Sequence, residues 1–86
     1  MERYSAGDLV RSLCGHDKDG IFIVLSAEDG YVTLCDGKRR KAAKKKKKKY
    51  RHVQSLKLHS DVIGSVPPYA LDAAVRREIK RLEKLI

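Results

Sequence analysis

Apolar positions come in short blocks through the first two thirds of the chain and in a helical stripe at its end. "GDLVRSLC" (7–14) mixes apolar and polar positions and stops at Gly15, which reads as a first strand. "IFIVLS" (21–26) is an unbroken run rich in β-branched and aromatic residues, the pattern of a strand buried on both faces. "AEDG" (27–30) ends in the Asp-Gly pair that favours a tight turn. In "YVTLC" (31–35) Val32 and Leu34 share one face, with Tyr31, Thr33 and Cys35 on the other. A second Asp-Gly pair stands at 36–37, "KRR" after it can begin a further strand, and "YRHVQSLKL" (50–58) reads as the last strand and its exit. Four or five short strands with tight turns, in a chain too short for a sandwich, predict a mainly β fold: a small barrel, whose closure removes exposed edges.

The tail changes period. In "SVPPYALDAAVRREIKRLEKLI" two prolines precede a run without glycine, and prolines belong at or before a helix start. Leu71, Val75, Ile79, Leu82 and Ile86 follow at spacings of 4, 4, 3 and 4, one stripe of an amphipathic helix. Packing that stripe on the barrel enlarges a thin core, whereas leaving it exposed makes a sticky patch. The resulting organisation is a barrel with its basic loop over 1–58, a connector over 59–69 and a C-terminal helix over 70–86.

Length limits what such a fold can do. A chain of 86 residues makes one small domain that buries only about 60–65% of the surface its unfolded chain exposes, which leaves little room for a deep enzyme cleft. No apolar run approaches the ~20 residues of a membrane span, and "MERYSAGDLV" lacks the apolar segment of a signal peptide. The expectation is a cytoplasmic protein with no membrane attachment.

Charge sharpens the picture by its location. Residues 38–51 hold eleven cations (Lys38, Arg39, Arg40, Lys41, Lys44, Lys45, Lys46, Lys47, Lys48, Lys49 and Arg51) and no Asp or Glu, so a chain of net charge +9 carries only −2 outside that segment. One electropositive arm on a nearly neutral body suits a polyanion, because phosphates and released counterions reward clustered Lys and Arg. An anionic membrane surface, a targeting signal or a solubilising tract uses the same composition. Since strands flank the run, it reads as a long hairpin loop held beside the barrel. Lys44/Lys48 and Lys45/Lys49 repel at helical spacing by roughly 0.2–0.5 kcal/mol each, so the loop is expected to be disordered until phosphates relieve the repulsion.

The segment "GDLVRSLCGHDKDGIFIVL" (7–25) resembles the KOW motif of small SH3-like barrels, with Gly7, Val10, Ser12, Gly15, Asp17, Lys18 and the run Ile21 to Leu25 matching in order. "DGKRRK" (36–41) and "YRHVQ" (50–54) are also similar to the KOW-type bacterial RNA-binding proteins related to large-subunit ribosomal protein 14e. That resemblance implies an SH3-like (KOW) barrel of four to five strands with a basic hairpin and a terminal helix, binding RNA, with ribosomal RNA first among the partners. The motif's glycine after lysine falls on Asp19 here, with Gly20 displaced by one. Asp tolerates positive φ better than most residues, so the turn is expected to survive.

Within that frame each remaining residue type has a use. In "CGHDKDG" (14–20) His16 offers a ring or a hydrogen bond, Lys18 a phosphate contact, and Arg11 helps set orientation. The plainer reading is a turn in which Asp17 caps backbone groups and His16 is merely exposed. Tyr50 packs across strands or stacks on a base, and His52 lies beside it. Only five aromatic residues, with no Trp, favour backbone and shape recognition of structured RNA over reading of a single strand. Cys14 and Cys35 lack paired metal-ligand spacing and read as free thiols. No nucleotide loop, carboxylate pair or nucleophile–base arrangement points to an enzyme, a cofactor or a small-molecule substrate. The alternative of another class is a protein-interaction adaptor in translation or transcription that uses the barrel edge and the terminal helix.

Overall fold

The structure is a computed structural model that describes residues 3–86. Five antiparallel strands, β1 (Asp8–Ser12), β2 (Ile21–Glu28), β3 (Tyr31–Cys35), β4 (Lys46–Lys49) and β5 (Val53–His59), form one sheet in the order β4-β3-β2-β1-β5. A 3₁₀ turn at Tyr50–His52 separates β4 from β5, and another at Pro68–Ala70 leads into α1 (Leu71–Leu82), the one α-helix among the described residues.

Strand β2 is buried on both faces over Phe22–Val24, as its composition predicts, while Ser26 and Glu28 are exposed. Phe22 and Val24 join Tyr4, Val10, Val32, Leu34 and Val53 in one apolar cluster. Ile23 joins Leu9, Cys35, Val75 and Leu82 in a second, with Ile21, Leu25, Leu71 and Ile79 packed around it. The division of β3 matches the pleat: Val32 and Leu34 enter the first cluster and Cys35 the second. The helix stripe covers that second face, with Val75 and Leu82 buried. The helix proper stops at Leu82 and gives way to a 3₁₀ turn, leaving Ile86 exposed. Buried Ser60 donates its Oγ hydrogen to Glu78 Oε1 at 2.5 Å, tying the connector to the helix. Arg81 and Ser60 together hold the Glu78 carboxyl down at about 2.

Three expectations are corrected. The sheet is open: its two edges, β4 and β5, are not paired with each other. Bulges between Asp8 and Val10 and between Val24 and Ser26 bend it, and α1 covers one face, so both faces bury apolar residues without closure. "KRR" does not begin a strand. Asp36 Oδ1 accepts the backbone N–H groups of Lys38 and Arg40, each at 2.9 Å, and winds 36–40 into a turn. The lysine run is not a disordered loop, because Lys46 to Lys49 pair with Leu34 to Tyr31 as strand β4. Backbone pairing with β3 overrides the weak intrinsic preference of lysine.

Candidate functional site

The basic segment is a hairpin fastened on two sides. Toward the helix, Gly37 O accepts from Arg76 Nη1 at 2.6 Å, and the Ala42 N–H donates to Asp72 Oδ1 at 2.7 Å. Gly37 has φ +78°, and a Cβ there would lie 2.4 Å from Asp72 O, so the turn rests directly on the helix backbone. Toward the β1–β2 loop, Arg40 Nε and Nη2 donate to Asp17 Oδ1 and Oδ2 at 3.2 and 3.1 Å. Lys48 Nζ donates to Cys14 O at 3.0 Å.

These ties sort the eleven cations. Lys48 is buried because the pleat sends it the same way as Val32, its partner on β3, toward the β1–β2 loop. Arg40 is half-buried in a bidentate pair with Asp17, whose side chain is only 6% exposed. Such a pair holds geometry, because removing either partner strands a charge. The other nine, Lys38, Arg39, Lys41, Lys44, Lys45, Lys46, Lys47, Lys49 and Arg51, are exposed. Lys47 Nζ stands 4.7 Å over the Tyr31 ring, which steadies it by a cation–π contact while leaving it on the surface. Along β4 the charged heads therefore alternate by side, with Lys47 and Lys49 opposite Thr33 and Tyr31.

The β1–β2 loop begins with a 3₁₀ turn at Gly15–Asp17. Asp19 takes φ +70°, a left-handed conformation that aspartate tolerates better than most residues. His16 and Lys18 are exposed here, beside the hairpin that Asp17 and Cys14 hold. Asp17 does not serve as a backbone cap with its side chain; its carboxylate is taken by Arg40. Arg11 lies one residue before the end of β1, opposite Ile21 and Gln54 and close to the start of the β1–β2 loop.

Tyr50 belongs to packing. Its ring meets that of Tyr4 edge-on at 5.2 Å between centroids, and it lies against the first apolar cluster. His52 sits in the 3₁₀ turn, where its backbone O accepts the Leu13 N–H at 2.9 Å. Cys14 and Cys35 are free thiols, the first partly exposed and the second fully buried. Burial, with Asp72 and Asp36 nearby, pushes its thiol up to about 12 and makes it a core residue.

Asp72 and Arg76 are positioning residues that sequence reasoning did not assign, and it gave Asp17 a capping role instead of its pairing with Arg40. Asp72 carries a signal in hindsight, as an acid in the first turn of a helix. Asp17 and Arg40 are 23 residues apart, and no local pattern links them.

No protein-family model and no curated protein matches the chain. Among the described residues, no helix is long and apolar enough to cross a membrane.

Proposed function

We propose that this chain is a non-catalytic RNA-binding protein that sets the exposed cations of its basic hairpin against the phosphates of structured RNA, with ribosomal RNA the first candidate and the cytoplasm its setting. One observation carries the reading: nine exposed cations lie on a hairpin tied at four points, over a body that is close to neutral. The ties matter because a positioned array loses less conformational freedom on binding than a loose tract.

The KOW resemblance supplies RNA as the polyanion. The strand order β4-β3-β2-β1-β5, with a 3₁₀ turn between β4 and β5, supports an SH3-like arrangement despite the open edge. In this mechanism the positive arm steers the encounter, phosphates displace condensed counterions, and His16 and Lys18 add contacts from the neighbouring loop. The packing of Tyr50 leaves the interface short of stacking platforms, which agrees with reading backbone and shape. The adaptor alternative is weakened by the helix, whose Val75 and Leu82 are buried against the sheet.

Binding of a structured RNA hairpin across a salt series tests the reading. With six or more phosphates engaged, affinity falls by about 10³-fold between 50 and 200 mM salt. Changing Lys44, Lys45, Lys46, Lys47 and Lys49 together to Ser, with Arg40 and Lys48 retained, removes most of that dependence. Parent binding that is flat with salt, or a quintuple variant that binds like the parent, overturns it.

A further inference from the structure

A shallow groove of about 600 Å³ runs between the hairpin turn and α1. Lys38 lines it from the hairpin, and Arg76, Arg77 and Lys80 line it from the helix. We propose that Lys38, Arg77 and Lys80 form a second row of phosphate contacts, so that the bound RNA backbone continues from the hairpin across the groove onto the helix. This rests on the RNA-binding reading above and extends the interface to an element so far assigned only packing and the anchoring of the hairpin.

Two observations carry it. First, the walls of the groove are locked together: Arg76 holds Gly37 O and Asp72 holds the Ala42 N–H, so the helix cations keep a set place beside the hairpin cations. Second, Arg77 and Lys80 are both exposed, and among the described residues neither is held in a close ion pair, whereas Arg81 on the same helix is engaged by Glu78 at 2.8 Å; Arg77 acts on Glu78 only through space. The groove also contains Asp19, Asp36 and Glu83, four cations against three carboxylates. Asp36 is directed into the turn by the two backbone N–H groups it accepts. The small net excess makes this an auxiliary contact of one or two phosphates, subordinate to the hairpin.

The test measures the same RNA hairpin and salt series on three proteins beside the parent. R77Q/K80Q removes two helix cations and leaves Arg76 at its post. R3Q/K57N removes two cations from the groove beside β5, away from α1, and controls for net charge. The quintuple lysine-to-serine variant reports the hairpin alone. R77Q/K80Q is expected to lower the magnitude of the log–log salt slope by about 1 to 2 and weaken binding several-fold at ~100 mM salt, with R3Q/K57N near the parent. An unchanged slope for R77Q/K80Q, or an equal loss in R3Q/K57N, overturns the second row while the quintuple variant still reports on the hairpin. A parent that shows no salt-dependent binding overturns both readings.

Discussion

The chain contains the dipeptide Asp-Gly at 29–30 and again at 36–37, and the two copies do different things. At 29–30 both residues take positive φ, 52° and 82°, and close a two-residue hairpin between β2 and β3. Nothing lies within 4 Å of a Cβ built on Gly30, so no neighbouring element presses on that turn; its distant tie is the Tyr50 N–H donated to Gly30 O. At 36–37 the aspartate side chain winds the turn, and the glycine is pressed onto the backbone of α1. The first turn joins two strands; the second docks the basic hairpin on the helix. The same local signal is thus sufficient in one place and only permissive in the other.

Substitutions can separate the two. Gly37→Ala meets both a left-handed backbone and the Asp72 carbonyl, at a combined cost of about 2–5 kcal/mol, and urea unfolding is expected to show a correspondingly lower midpoint. A loss no larger than that of Gly30→Ala would mean that the hairpin does not rest on the helix. Next in size is Arg40→Ala, which leaves Asp17 buried without its partner. Because the Arg40 side chain is about a third exposed, the cost is set below that of a fully buried pair, at about 2 kcal/mol, or roughly 10 °C in Tm. Asp17→Asn made together with Arg40→Ala should recover part of it, and no recovery would argue against the pair. Gly30→Ala has only the backbone to oppose it and is expected to cost about 1 kcal/mol.

The smallest effect lies at the far end of β5, where His59 Nδ1 and Asp8 Oδ1 are 2.8 Å apart and Nε2 is 3.3 Å from Asp61. The hydrogen bond to Asp8 is the main cause that raises the His59 pKa above its ordinary 6.5. A raised folded-state value means that the charged histidine stabilises fully below pH 6.5, and that this support disappears as pH rises through the folded pKa. His59→Gln is therefore expected to lower stability by no more than about 1 kcal/mol at pH 5.5, the range of an exposed ion pair. Once pH has risen past the folded pKa the loss should be smaller. A loss of equal size below and above that pKa would assign the residue a packing role instead.

How far the sequence could be read follows from which interactions are local. Strand β2, the split faces of β3, the Asp29–Gly30 turn, the left-handed Asp19 and the stripe on α1 each rest on patterns a few residues long, and each is present in the fold. The concentration of charge in 38–51 was equally plain. What escaped were pairings between distant segments: Arg40 with Asp17, Ala42 with Asp72, Lys48 with Cys14 O. Within the lysine run the limit is sharper. Inward and outward positions on a strand are normally told apart by apolar and polar residues, and six identical side chains erase that contrast. Only the pairing with β3 shows that Lys48 turns in.

That uniformity has a consequence for how the strand is addressed. The position that turns inward is not marked by its own chemistry, so it must be counted from a fixed point. The fixed point is Tyr50, whose N–H bonds Gly30 O at 2.9 Å and whose ring rests on Tyr4. Lys48 is therefore defined as the residue two before that tyrosine, not as the fifth of six lysines. Extra lysines added on the Ala43 side lengthen the connection and leave the strand in phase. A single residue inserted between Lys49 and Tyr50 shifts the numbering but delivers another lysine to the same inward slot. A run of identical residues is in this sense indifferent to small changes in its own length, provided its downstream end stays anchored.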